Sequence, residues 1–167
     1  PVSAGFIHTA ATRHLASSLS VTLMADYASG DSDPKNGTYT TYQPLWPSNR
    51  VGDFTYTGLY GPLKGSNLIS PAAIIDWHPT PQTHTRLRYR PAWQQALAVE
   101  GGGLAFKGHN IEALFEISPN DSALHYSAGV GYFVPGGTVD QQLAASPGNS
   151  LYVFADIAFN TDWQFDW

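Results

Sequence analysis

Residues 83–93 read "THTRLRYRPAW", and the parity of this stretch decides how the chain folds. Thr85, Leu87, Tyr89, Pro91 and Trp93 fall on one side; His84, Arg86, Arg88 and Arg90, with Gln94 beyond them, fall on the other. A period of two is the mark of a β-strand, whose successive side chains point to opposite faces. Three of the chain's five arginines are thus stacked on one side of a single strand.

The alternation recurs along the chain. In "SLSVTLMADYA" the apolar Leu19, Val21, Leu23, Ala25 and Tyr27 oppose Ser18, Ser20, Thr22, Met24 and Asp26. "NLISPAAIIDWHP" sets Ile69, Pro71, Ala73, Ile75 and Trp77 against Ser70, Ala72, Ile74, Asp76 and His78, with Ile74 out of character on the polar side. "HNIEALFEI" opposes Ile111, Ala113, Phe115 and Ile117 to Asn110, Glu112, Leu114 and Glu116. "ALHYSAGVGYFV" opposes Leu124, Tyr126, Ala128, Val130, Tyr132 and Val134 to His125, Ser127, Gly129, Gly131 and Phe133. The run from Leu151 to Trp167 is apolar at odd positions except Thr161, and a less regular first strand lies in "VSAGFIHTA". The expectation is all-β, about seven strands and no helix.

Composition narrows the class. Charged residues are 13% of the 167, aromatics also 13%, and Gly and Pro are abundant at 16 and 12. That is about half the usual charge of a soluble domain. A net charge of −5 with no basic tract excludes a nucleic-acid partner. With no cysteine, disulfides, thiolate metal sites and cysteine nucleophiles are excluded. No long continuous apolar stretch is present, which excludes a helical membrane span and leaves a β-barrel open.

Connections alternate in length. Short links are expected near residues 11–17, 78–82 and 118–121, and long ones near 29–66, 95–108 and 135–150. An up-and-down barrel of the outer membrane has tight turns on its periplasmic rim and long loops outside. No repeat or linker divides the chain, so residues 1–167 are expected to be one piece.

Alternate aromatics at the end, Phe159, Trp163, Phe165 and Trp167, resemble the C-terminal signal by which outer-membrane barrels are recognised by their assembly machinery. A closer resemblance lies in "DYASGDSDPKNGTYTTYQPLWPSNR", Asp26–Arg50, which is similar to the strand-to-loop motif of the alginate export family of outer-membrane porins. "NLISPAAIIDWHPT", Asn67–Thr80, and "GVGYFVPG", Gly129–Gly136, match the family in the same order. Asn49 departs from the family's His, and the residues beyond Phe159 extend past its usual end. The resemblance implies that residues 1–167 are the C-terminal portion of a larger barrel domain in the outer membrane of a Gram-negative bacterium, a passive channel with an arginine-lined constriction for an anionic polysaccharide such as alginate, without catalysis.

Energetics place the arginines. One arginine against lipid at the midplane costs about 2–4 kcal/mol. Three would cost about 6–12 kcal/mol, so Arg86, Arg88 and Arg90 are expected in the lumen. Stems about 7 Å apart in water repel by only about 0.6 kcal/mol per pair. Two roles are compatible with that place. One is a cationic lane with His84 and Gln94 that takes carboxylates in planar forks, binding an anionic saccharide or small anion. The other is a wall network: Arg86 with Asp76, and Arg88 and Arg90 with Glu112 and Glu116, with Asp26 as a further lumen carboxylate.

Remaining motifs carry less. The six histidines, at 8, 14, 78, 84, 109 and 125, have no metal-ligand spacing, and neither metal nor cofactor is expected. "GGGLAFKG" lacks the setting of a phosphate loop. Glu112 and Glu116, on one strand, are about 13 Å apart, too far for a glycosidase pair. Asp31 and Asp33 read as solvated loop residues rather than a calcium site. The other class the alternation allows is a soluble β-sandwich carbohydrate-binding module, which would bury its apolar faces between two sheets.

Overall fold

The computed structural model describes residues 3–31, 37–38, 40, 67–95, 104–119, 123–136 and 148–159. They form seven strands: β1 Phe6–Ala16, β2 Leu19–Ala28, β3 Leu68–Thr80, β4 Thr83–Gln95, β5 Leu104–Ile117, β6 Leu124–Pro135 and β7 Ser150–Phe159. All lie in one sheet in chain order, every pair antiparallel, with β1 and β7 as its edges.

Two of the three short connections are tighter than the sequence suggests, while the third, residues 118–123, is two residues longer. β1 turns into β2 through Ser17 and Ser18 alone, because the strand runs on to Ala16. Thr9 and Arg13, on the side that carries Ile7 and Ala11, mask the alternation there. β3 turns into β4 through Pro81 and Gln82, where the Thr80 and Thr83 hydroxyls lie 2.9 Å apart and the Thr80 N–H donates to Thr83 Oγ1 at 3.1 Å. Pro81 has its φ preset for a turn and no N–H to give to a ladder, which suits it to this position. At the other end, residues 29–67, 96–103 and 136–149 separate the strands.

β5 begins at Leu104, earlier than expected. A bulge explains the difference. Trp93 pairs with Phe106 and Ala92 with Gly108, leaving Lys107 as the extra residue. Gly108 has φ +142°, a conformation that favours glycine. The insertion reverses parity, so an alternation read from residues 109–117 fails to continue backwards.

The two faces are the reverse of a soluble domain's. Among the described residues eighteen large apolar side chains are exposed, including Leu23, Ile75, Leu87, Ile111, Val130 and Val153, at 38–73% of their free area. The polar face is the buried one: Asp26, Ser70, Asp76, Arg88, Arg90, Asn110 and Glu112. Full burial stabilises by about 1.5–3 kcal/mol per side chain, and with roughly half of each still exposed that apolar face would forgo about 15–25 kcal/mol in water. A domain's whole stability is about 5–15 kcal/mol, so the face requires apolar surroundings. A sandwich would cover it with a second sheet, but all seven described strands belong to one.

Apolar residues on the polar face gather in two places. Met24, Ala72 and Ile74 form one cluster, which accounts for the out-of-parity Ile74. Toward the long loops, Ala28, Leu68, Ala92 and Phe133 form another with Phe6 beside it. Phe133 reaches this cluster over Gly108, where a Cβ would sit 2.8 Å from its Cζ.

Candidate functional site: the arginine face

Residues opposite one another on neighbouring strands form rows across the sheet, and on the polar face two rows cross all seven strands. One runs Thr12, Thr22, Ile74, Arg88, Glu112, Gly131, Tyr152; the next runs His14, Ser20, Asp76, Arg86, Leu114, Gly129, Phe154. Directly opposed side chains are about 5 Å apart at Cβ, close enough for a charge to find its partner without strain.

Register therefore selects the pairs. Arg88 faces Glu112, donating from Nε to Oε2 at 2.6 Å while Nη2 meets the same carboxylate. The two side chains are only 1% and 0% exposed. The Tyr152 hydroxyl donates to the other Glu112 oxygen from two strands away. Arg86 faces Asp76 and donates to it from Nε at 2.7 Å.

Arg90 departs from expectation. It stands opposite the neutral Asn110, with Glu116 six residues further along β5, about 20 Å away. Instead its guanidinium crosses β3, donating to Ser70 Oγ at 2.6 Å and to Asp26 Oδ2 on β2 at 2.7 Å. Asp26 also meets His8 Nδ1 at 2.6 Å. Parity allows an Arg90–Glu116 pair; register forbids it.

Glu116 belongs to a histidine cluster near the short turns. His84 lies between two carboxylates, Nδ1 at 2.6 Å from Glu116 and Nε2 at 2.7 Å from Asp76. The His78 ring stacks on His84 with centroids 4.5 Å apart. His125 lies between Ser118 Oγ, at 2.6 Å, and Glu116, at 3.4 Å. Arg86, Asp76, His84, Glu116, His125 and Ser118 thus make a continuous polar chain over four strands.

Access differs along the ladder. Side-chain exposure is 19% for Arg86, 1% for Arg88 and 9% for Arg90. Gln94 is half-buried opposite Ala105, near the long loops. Asp33 and the aromatic end beyond Phe159 lie outside the described residues.

Sequence reasoning did not single out His8, Ser70, His125 or Tyr152. For Tyr152 a signal existed: Gly131, on the polar parity of β6, leaves room for a large side chain from the next strand.

An antiparallel meander with an apolar band outside and paired charges on its other face is the wall of a membrane-spanning β-barrel. Which barrel follows from comparison with known families. The profile described as alginate export matches residues 14–149, and the chain belongs to that family, one of outer-membrane transport proteins rather than enzymes. No curated protein and no solved structure matches the chain.

Proposed function

We propose that this sheet lines a passive channel for anionic solutes, with a uronate polysaccharide or oligosaccharide such as alginate as the solute class, in the outer membrane of a Gram-negative bacterium. The observation that carries the reading is Arg86: a permanently charged fork, part-exposed, on the face opposite the lipid band. Asp76 holds its Nε at 2.7 Å, with His84 on the same carboxylate, and 19% of the side chain stays exposed. Arg88 and Arg90 support the assignment differently. Buried and paired, they serve as wall rather than lane, stiffening β2 to β5 behind the solute path. The apolar band meets lipid, and the C-terminal strand is the element the assembly machinery would engage. No catalytic step is assigned.

The test is single-channel recording of the intact protein in planar bilayers. Arg86→Gln is expected to assemble, to lower the preference for anions and to weaken block by uronate oligosaccharides, most at low salt. Unchanged ion selectivity and unchanged uronate block in an assembled Arg86→Gln channel would reject the lane.

A further inference from the structure

Four of the chain's six histidines, His14, His78, His84 and His125, come from four different strands and meet on the polar face beside the short turns. Register and contacts place each of them. His14 stands opposite Ser20, which stands opposite Asp76. The His78 N–H donates to the Ser18 carbonyl at 2.8 Å, and its ring stacks on His84. His125 lies 3.4 Å from Glu116, the carboxylate that also holds His84. His14 and His78 are exposed, and the side chains of His84 and His125 keep 17% and 34% of their surface in contact with water.

Histidine is the side chain whose ordinary charge change falls between about pH 5 and 8. The other charged groups at this level of the polar face, among the described residues, are Asp76 on β3, Arg86 on β4, Glu116 on β5 and Asp156 on β7. Asp156 is exposed and stands opposite Ser127, which stands opposite Glu116. β2 brings only Ser18 and Ser20 to this level, and Arg13 lies on the other face of β1 by parity. With neutral histidines, one guanidinium therefore faces three carboxylates and the rim is net negative. With four imidazoliums the balance turns positive. The sign of the rim's charge is set by the histidines, since Arg86 stays charged throughout.

We propose that His14, His78, His84 and His125 form a proton-binding charge selector at the short-turn mouth, turning it from cation-attracting to anion-attracting as the surrounding water becomes more acid. Rings of charged side chains select ions in this way, and in an outer-membrane barrel the short-turn mouth is the periplasmic one. The proposal rests on the channel reading above for the water-filled face. It adds a pH dependence that a row of arginines does not have.

The experiment measures the reversal potential of the intact channel in a planar bilayer, under a potassium chloride gradient at low salt, between about pH 8 and about pH 5. One unit charge about 10 Å from an ion in water changes the anion-over-cation ratio about fourfold. The wild-type ratio should rise at least about fourfold over that interval. Replacing all four histidines by Gln should hold the ratio constant to within about 1.5-fold. Should that variant fail to assemble, His14→Gln, His78→Gln and His125→Gln together carry the test, because the contacts of His84 with Asp76 and Glu116 remain, and the rise should fall by about half or more. His109→Gln, on the apolar face, should respond to pH as wild type does. Arg86→Gln should lower the ratio at every pH and keep the rise. A ratio that does not move with pH, or that moves equally in the histidine variants, overturns the selector and leaves the channel reading intact. A rise that the histidine variants abolish, in a channel that uronate oligosaccharides do not block, upholds the selector and overturns the uronate reading. A protein that conducts no ions overturns both.

Discussion

Replacing Arg88 by Met separates wall from lane in one measurement. The guanidinium is 1% exposed and its partner Glu112 is 0% exposed, so the substitution leaves a carboxylate without its counter-ion away from water. Breaking a buried pair this way costs about 3–5 kcal/mol. Tyr152 still donates to Glu112, which moves the expectation to the lower end, about 3 kcal/mol. Arg86→Gln differs, because the side chain is 19% exposed and Asp76 keeps His84 as a partner. Its cost should be about 1 kcal/mol or less. Adding Glu112→Gln to Arg88→Met removes both charges yet preserves an acceptor for Tyr152, and should bring stability back to within about 1 kcal/mol of wild type. The assay is denaturant unfolding of the intact protein in lipid vesicles. A cost for Arg88→Met no larger than for Arg86→Gln, or no rescue in the double variant, would refute a desolvated ion pair in the wall.

Three further outcomes are expected. Ile75→Arg, at mid-strand on the exposed apolar face, should destabilise the folded barrel by about 2–4 kcal/mol in vesicle refolding, whereas Thr22→Arg on the opposite face should cost less than half as much. Gly131→Ala should lower stability by about 1–3 kcal/mol, because the methyl group meets the Tyr152 ring, and Gly131→Ala combined with Tyr152→Ala should recover most of that loss. Gly108→Ala should be more damaging than Gly129→Ala in the same assay, since its φ of +142° strains any side chain in addition to the clash with Phe133.

Parity made much of this legible. It assigned Arg86, Arg88, Arg90, Asp76 and Glu112 to one face and Leu87, Ile75 and Ile111 to the other, because a strand's side-chain period is fixed by its backbone. Register was out of reach, since it depends on turn length. The β1–β2 turn at Ser17 and Ser18 and the bulge at Lys107 set which residues face one another, and neither leaves a periodic trace. The Arg90–Asp26 bond spans two strand spacings and 64 residues, beyond any local pattern. The pairing of Gly131 with Tyr152 lies on separate strands and becomes visible only once β6 and β7 are aligned.

The central claim is that the arginine face of β4 meets water inside a channel and its other face meets lipid. The chain has no cysteine, so single cysteines along β4 report on this directly. In vesicles containing the intact protein, His84→Cys and Arg86→Cys should react with a charged, water-soluble thiol reagent, while Leu87→Cys and Tyr89→Cys should resist it and react with a lipid-soluble maleimide. The opposite pattern, with Leu87→Cys and Tyr89→Cys labelled from water and the even positions from lipid, would contradict the account.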